Sequence, residues 1–267
     1  MPVDRRIFKI PFYKGSLPEW KCPTCNKGIL KGREGSFRYS ESKNSLDSQK
    51  RENWDPEFTD YVYSCEFICT NPNCKDIVAN IGVGSLEMEP TFDPHGNVGG
   101  VQYFPSFLPK YFCPHLNIFE ISENTPIDVK MSIEESFKLF FVSHSASSGC
   151  LRIALERLLD NLKVKKFENK KNKRIQISLH RRIESLPKKF LRFKDLFFAI
   201  KWLGNAGSHH HKITIDDVMD AYDIFEEILN ELFDHKTEKI RKMVKQVNQR
   251  KGPGKNKKHG EINDEED

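Results

Sequence analysis

Two groups of residues in this chain have types and spacings that do chemistry. The first is Lys201-Trp-Leu-Gly-Asn-Ala-Gly-Ser-His209. Phe193, Leu196, Phe197, Ile200 and Leu203 recur at helical spacing just before it, which predicts a helix running into the stretch. Continued, that helix sets Gly204 and Gly207 on its apolar face and Lys201, Asn205 and Ser208 together on another, with His209 at the edge. Glycines in that position let a second backbone come close. A Lys/Asn/His cluster beside such a contact can hold or cut a phosphodiester, because the cation meets the phosphate and the imidazole titrates near neutrality. The plainer reading is a helix terminus, where Asn and His tolerate left-handed backbone.

The second group is Cys22-Pro-Thr-Cys25 with Cys69-Thr-Asn-Pro-Asn-Cys74. Each pair sits on a tight turn formed by Pro with Gly or Asn. Two such turns facing each other give four thiolates at tetrahedral zinc geometry, with no open position, so the expected metal is a structural zinc held by Cys22, Cys25, Cys69 and Cys74. Cys65 lies close enough to replace a ligand. The competing readings are four buried thiols or a redox Cys22/Cys25 pair, though nothing like a thioredoxin βαβ unit surrounds it. Cys113 and Cys150 have apolar neighbours and read as core residues. His209, His210 and His211 point in three directions on a helix and do not suit one ion.

The elements that must position these groups change character near residue 125. Before it, Tyr61–Cys69 and Ile77–Val83 read as strands, Val101–Phe104 and Phe119–Ile121 as weaker ones, and Asp93-Pro-His-Gly-Asn97 as a turn. Residues 34–55 are polar and read as a mobile insertion. After residue 125 the signals are helical. Ser132-Ile-Glu-Glu135 has the form of a capping box. Ala154 to Leu162 makes a helical stripe, and Lys165 to Arg174 reads as a basic linker. Ile177 to Leu186 forms a short helix ended by Pro187. Thr214 caps a last long helix through Leu232. The expected architecture is α+β: a zinc-ribbon-like β module over 1–124, a helical bundle over 125–248, and a disordered tail over 249–267.

The chain has 267 residues, a net charge of +5 and seven cysteines. That size allows one large or two small domains. No apolar run reaches the roughly 20 residues that span a bilayer, and no secretory signal is visible. The odd cysteine count fits a reduced, cytoplasmic protein. Basic runs place Lys170, Lys171, Lys173, Arg174, Arg181 and Arg182 as candidate nucleic-acid contacts, against the plainer reading of a solvated charged face. Arg152 and Glu156, one helical turn apart, form at least an i,i+4 ion pair.

Several local patterns together resemble a known family. They are the Cys-x-x-Cys after Trp20, the later cysteine pair, Leu151-Arg-Ile-Ala-Leu-Glu-Arg-Leu-Leu159, Leu179-His-Arg-Arg-Ile-Glu-Ser-Leu186 and Leu203-Gly-Asn-Ala-Gly-Ser-His209. They resemble bacterial domain-of-unknown-function family 4145, whose helical part is grouped with the HEPN superfamily and is found alone or fused to restriction and anti-phage proteins. The helical likeness covers roughly 125–235, and the front part resembles the N-terminal half of stand-alone members. The resemblance implies a bundle that is often a homodimer, with a polar groove between protomers. It implies that His209 matches the nuclease histidine and Asn205 the polar residue, while Lys201 stands where nuclease members carry arginine. Lysine keeps the charge but loses the planar fork that grips phosphate twice. Arg152 and Glu156 match the family's Arg-x-x-Leu-Glu pattern and would frame the site. The expected function is a cytoplasmic, defence-associated binding module for nucleic acid or a partner protein. The alternative is a metal-independent endoribonuclease using Lys201, Asn205 and His209.

Overall fold

The computed structural model describes residues 5–206, 212–234 and 236–250. The front half is an antiparallel sheet whose alternation buries one face. Strands β1 (Leu30–Gly32) and β2 (Arg38–Glu41) pair with one edge of β3 (Asp60–Cys69). On its other edge β3 pairs β4 (Ile77–Phe92), which pairs β5 (Val98–Cys113). Along β3, Tyr63, Cys65, Phe67 and Cys69 are buried. They join Phe12, Trp20, Phe107 and Phe112 in a mostly edge-to-face aromatic core, the arrangement that ring quadrupoles favour. Asp93 closes the β4–β5 turn by accepting the backbone N–H groups of His95 and Asn97.

The back half is helical: α3 (Ile127–Leu139), α4 (His144–Asn161), α5 (Leu179–Glu184), α6 (Lys194–Ala206), α7 (Ile215–Phe233) and α8 (Lys236–Arg250). Two short helices precede them, α1 (Arg6–Lys9) and α2 (Lys43–Ser48). Helix α4 packs against α3, α6 and α7 through buried Leu151, Ala154, Leu155 and Leu158. Inside this packing, the hydroxyls of Ser136, Ser147 and Tyr222 lie 2.9 Å apart and satisfy one another. Thr214 caps α7 in a reciprocal capping box with Asp217, as the sequence indicates. The apolar cluster runs unbroken from sheet to helices, bridged by Phe112 on Phe141 and Phe8 on Phe140.

Several expectations need correction. Residues 34–55 are not a loop standing out from the module. Arg38–Glu41 pairs with β3, and Ser42 caps α2, where buried Ser45 donates to Glu41. The 165–174 stretch is no linker: β6 (Phe167–Lys170) and β7 (Lys173–Gln176) form a hairpin, turned by Lys171 and Asn172 at φ 49° and 59°. Ser132 caps nothing. It lies within α3, which starts five residues earlier, and its hydroxyl donates to the Asp128 carbonyl. Phe119–Ile121 is not a strand; Phe119 is buried against Phe137 and Tyr222. Cys113 is exposed and Cys150 half-buried, so neither is a core residue. Helix α8 carries the chain to Arg250, past the expected start of the tail at 249. The rest of that tail, 251–267, lies outside the described residues, as do Gly207 to His211.

Candidate functional site

The four cysteines come together. The Sγ atoms of Cys22, Cys25, Cys69 and Cys74 all lie within 4.8 Å of one another. Cys22 and Cys74 are 3.8 Å apart, and Cys25 and Cys69 3.6 Å. A tetrahedron with metal–sulfur bonds of about 2.3 Å needs sulfurs about 3.8 Å apart. The two turns are built alike. Asn26 and Lys75, the residues after each second cysteine, both sit at φ 52°. Their N–H groups close the turns onto the carbonyls of Cys22 and Asn71. β1 and β3 bring the turns face to face through the Leu30↔Cys69 pair. Gly28 is required there, because a Cβ would lie 2.3 Å from the Cys69 sulfur.

Backbone amides point at the sulfurs. Gly28 N–H donates to Cys25 at 3.4 Å and Asn71 N–H to Cys69 at 3.4 Å. The amides of Gly28 and then Lys27 pull the Cys25 thiol down to about 6. At Cys25 these donors favour the thiolate, the form that binds metal; at Cys69 burial outweighs the Asn71 amide and pushes the thiol up to about 12. Cys65 is outside the cluster: it is buried with its sulfur toward Asn80 Oδ1, and burial pushes its thiol up to about 12. The set is therefore four thiols that can hold one metal ion.

The second site is assembled by α4, α5 and α6. A Cβ at Gly204 would lie 2.6 Å from the Arg152 Cβ and 3.2 Å from the Ser148 carbonyl, so Gly204 permits the close approach of α6 to α4. The Ser148 hydroxyl donates to the Leu203 carbonyl across that contact at 2.7 Å. Lys201 is 8% exposed. Its ammonium lies 3.4 Å from the Trp202 ring centre and 3.4 Å from His180 Nδ1. Burial, then the Arg152 charge, holds the Lys201 ammonium below the usual lysine range. Arg152 pairs with Glu156 at 3.3 Å, the expected i,i+4 bridge. Asn205 shares the helix with Lys201, one turn on. His209, the expected histidine of this group, lies outside the described residues.

His180 was not among the expected site residues. It reaches Lys201 from another helix, and no spacing rule links positions 180 and 201. An ammonium can only donate, so a bond to His180 makes Nδ1 the acceptor and leaves the ring proton on Nε2. That nitrogen faces Glu184 Oε1 at 3.4 Å.

The nucleic-acid candidates divide. Lys170, Lys171 and Lys173 are exposed at the hairpin tip. Arg174 is exposed with its guanidinium 3.9 Å over the Phe167 ring. Arg181 is exposed and grips both Glu168 oxygens, at 2.6 and 3.0 Å. Arg182 is the correction. It is 2% exposed and bonds Asp160 at 2.6 Å and the Val164 carbonyl at 3.2 Å. Consecutive residues on α5 point about 100° apart, so Arg181 faces water and Arg182 the interior. The base of the hairpin meets the helices at a cavity of about 260 Å³ lined by Gln176, Ser178, Arg152, Glu156 and Arg182.

With this geometry in place, the family models divide the chain where the architecture does. Residues 134–250 match the model described as Domain of unknown function (DUF4145). The match runs from within α3 to the end of α8. Residues 10–112 match a separate model, Domain of unknown function (DUF8608), so the cysteine-bearing sheet matches a model of its own rather than forming an appendage of the helical one. No curated protein and no solved structure matches the chain. Among the described residues, no helix is long and apolar enough to cross a membrane.

Proposed function

We propose that this chain is a zinc-stabilised, HEPN-like nucleic-acid-binding module, acting in bacterial defence. Zinc suits four thiolates at tetrahedral spacing and gives a closed structural site. The defence role rests on the family resemblance of the helical half. The observation that carries the binding reading is Lys201, which feels the Arg152 charge and lies over one face of Trp202, a residue that is 56% exposed. Arg152 has Glu156 as its counter-ion, whereas Lys201 has no carboxylate partner among the described residues, and a phosphate would supply its anion. An exposed indole next to Lys201 offers a stacking surface for an unpaired base, as in single-strand binders. The hairpin carries Lys170, Lys171 and Lys173 as a further basic surface, and its base, at Gln176, lines the cavity to which Arg152 also contributes.

The histidine geometry separates binding from cutting. His180 Nδ1 is occupied by Lys201 and Nε2 faces Glu184, so this imidazole positions Lys201 rather than taking a proton from a ribose. Strand cleavage would fall to His209, with Lys201 stabilising the phosphorane charge and Asn205 orienting. That is the second reading, favoured by the helical sharing of Lys201 and Asn205.

Fluorescence anisotropy with a labelled single-stranded RNA tests the first reading. Trp202→Ala should weaken binding by about 1–3 kcal/mol, or roughly 5–150-fold, and the RNA should stay intact in metal-free buffer. Equal affinity of wild type and variant refutes it; cleavage abolished by His209→Ala establishes the second. The charge on Lys201 adds a pH signature. Bound phosphate raises the lowered Lys201 pKa, so affinity is full below that value and falls as pH rises through it. A titration above neutrality should show this loss, and Lys201→Arg should remove it.

A further inference from the structure

The cavity of about 260 Å³ at the base of the hairpin is walled by hydrogen-bond donors that the chain itself leaves unused. Arg152 and Glu156 reach it from α4, Arg182 from α5, and Gln176 and Ser178 from the end of β7 and the turn after it. The Arg152 side chain is 38% exposed and that of Arg182 2%, so one forms the rim and the other the floor. Neither guanidinium is saturated. Arg152 makes one ion pair, with Glu156 at 3.3 Å. Arg182 donates to Asp160 and to the Val164 and Glu156 carbonyls. The Nε of each is buried and meets no acceptor among the described residues. A buried donor without an acceptor is costly, and here two of them belong to one wall. Stability does not account for Arg182 either, because a buried ion pair often contributes no more than apolar residues of the same volume.

The charges around the cavity do not cancel. Glu156 is the one carboxylate in the lining, against two guanidiniums. Asp160, outside the lining, is shared by Arg182 and Lys166 at 2.6 Å each. Three cations therefore face two carboxylates. The neutral groups add donors. The Ser178 hydroxyl accepts the Arg181 N–H at 3.4 Å, which leaves its own hydrogen to give. The Gln176 side chain makes no hydrogen bond among the described residues.

Size narrows the ligand. Pockets for whole drug-sized ligands run to about 300–1,000 Å³, so this one takes a small group. A phosphodiester inside a strand has a nucleotide on each side and cannot reach a floor closed by Arg182. A phosphomonoester at a strand's end can, and it brings three acceptor oxygens and a charge of about −1.5 to −2.

We propose that this cavity is a phosphomonoester site, and that its ligand is the phosphorylated end of a nucleic-acid strand. Arg152 and Arg182 grip the terminal oxygens, Gln176 and Ser178 donate to the same group, and Glu156 holds Arg152 in place. The site stands on the cavity itself; only the source of its phosphate rests on the nucleic-acid reading.

Isothermal titration calorimetry of the full chain with inorganic phosphate and with adenosine 5′-monophosphate tests the site. Anisotropy with one short RNA carrying a 5′-phosphate, a 3′-phosphate or neither tests the source. Both small probes should bind, and one phosphorylated strand should bind about tenfold tighter, or more, than the unphosphorylated strand. Arg152→Gln removes a guanidinium, and Gln176→Glu sets a carboxylate against the ligand from an exposed position. Either should cancel the strand preference and weaken phosphate binding by about tenfold or more, with circular dichroism unchanged. Phosphate binding with equal affinity for all three strands assigns the cavity to a free phosphate compound and overturns the strand end as its source. Silent calorimetry with equal strand affinities overturns the site, even where the RNA itself binds. A preference that survives both variants overturns it too, because the end is then read elsewhere. Bound phosphate with no RNA binding at all refutes the nucleic-acid reading and leaves the site standing.

Discussion

Replacing Cys69 with serine is expected to cost the protein its metal and, with it, the fold of the β module. Cys69 occupies the centre of the arrangement. Its sulfur is 3.6 Å from that of Cys25, its backbone N–H is bonded to the Asp76 carbonyl, and its strand pairs directly with Leu30. The sheet around it is small, and β1 and β2 have only three and four residues. Apparent zinc binding in small domains is worth about 10–16 kcal/mol, comparable with the whole stability of a typical domain, about 5–15 kcal/mol. Elemental analysis of purified protein should give one zinc per chain in the wild type and none in Cys69→Ser. Cys65→Ser, on the same strand but outside the cluster, should keep its zinc. A Cys69→Ser protein with full metal and an unchanged melting curve would remove the centre from this account.

The second large effect is an asymmetry. Asp160→Ala should destabilise the helical half by about 3–5 kcal/mol, because it leaves the Arg182 guanidinium buried without its carboxylate. Arg182 is 2% exposed, and Asp160 is its ion-pair partner at 2.6 Å. The converse change, Arg182→Met, should cost less than half as much. Asp160 is a third exposed and keeps Lys166 at 2.6 Å, and a methionine fills the vacated volume with apolar contact. Urea unfolding of the two variants separates these outcomes. If Arg182→Met costs as much as Asp160→Ala, the pair contributes more than the burial argument allows, and the guanidinium bonds to the Val164 and Glu156 carbonyls are the stabilising element.

These two sites also mark how far the sequence could be read. The cysteine cluster was legible because its chemistry is local. Each turn needs only a cysteine pair and residues that accept a left-handed backbone, and the pairs then have one way to meet. Long helices were legible through their apolar stripes, as was the Thr214 cap. The hairpin at 167–176 was not. Its strands carry mostly charged and polar residues, with Ile175 their one β-branched residue, and its Lys171-Asn172 turn lacks the glycine that usually signals one. The strand and helix within residues 34–55 were hidden by polar composition, which an edge strand tolerates because one side stays in water. Arg181 and Arg182 are indistinguishable as neighbours in a basic run. Only the tertiary setting of α5, which packs on α6 while Arg182 reaches Asp160 of α4, sends one to solvent and the other inward. His180 escaped notice for the same reason: its partner lies on α6, and tertiary packing creates the cluster.

The claim on which the functional account depends is that the hairpin and the Lys201 cluster form one basic track for a nucleic-acid backbone. The most direct measurement is the salt dependence of single-stranded RNA binding by wild type and by a variant with Lys170, Lys171 and Lys173 changed to glutamine. Removing one lysine–phosphate pairing on a single strand should reduce the slope of log affinity against log salt by about 0.7. The account predicts a steep wild-type slope that becomes shallower by about 2 in the triple variant. A wild-type slope near zero, or one untouched by removing the three lysines, would contradict it.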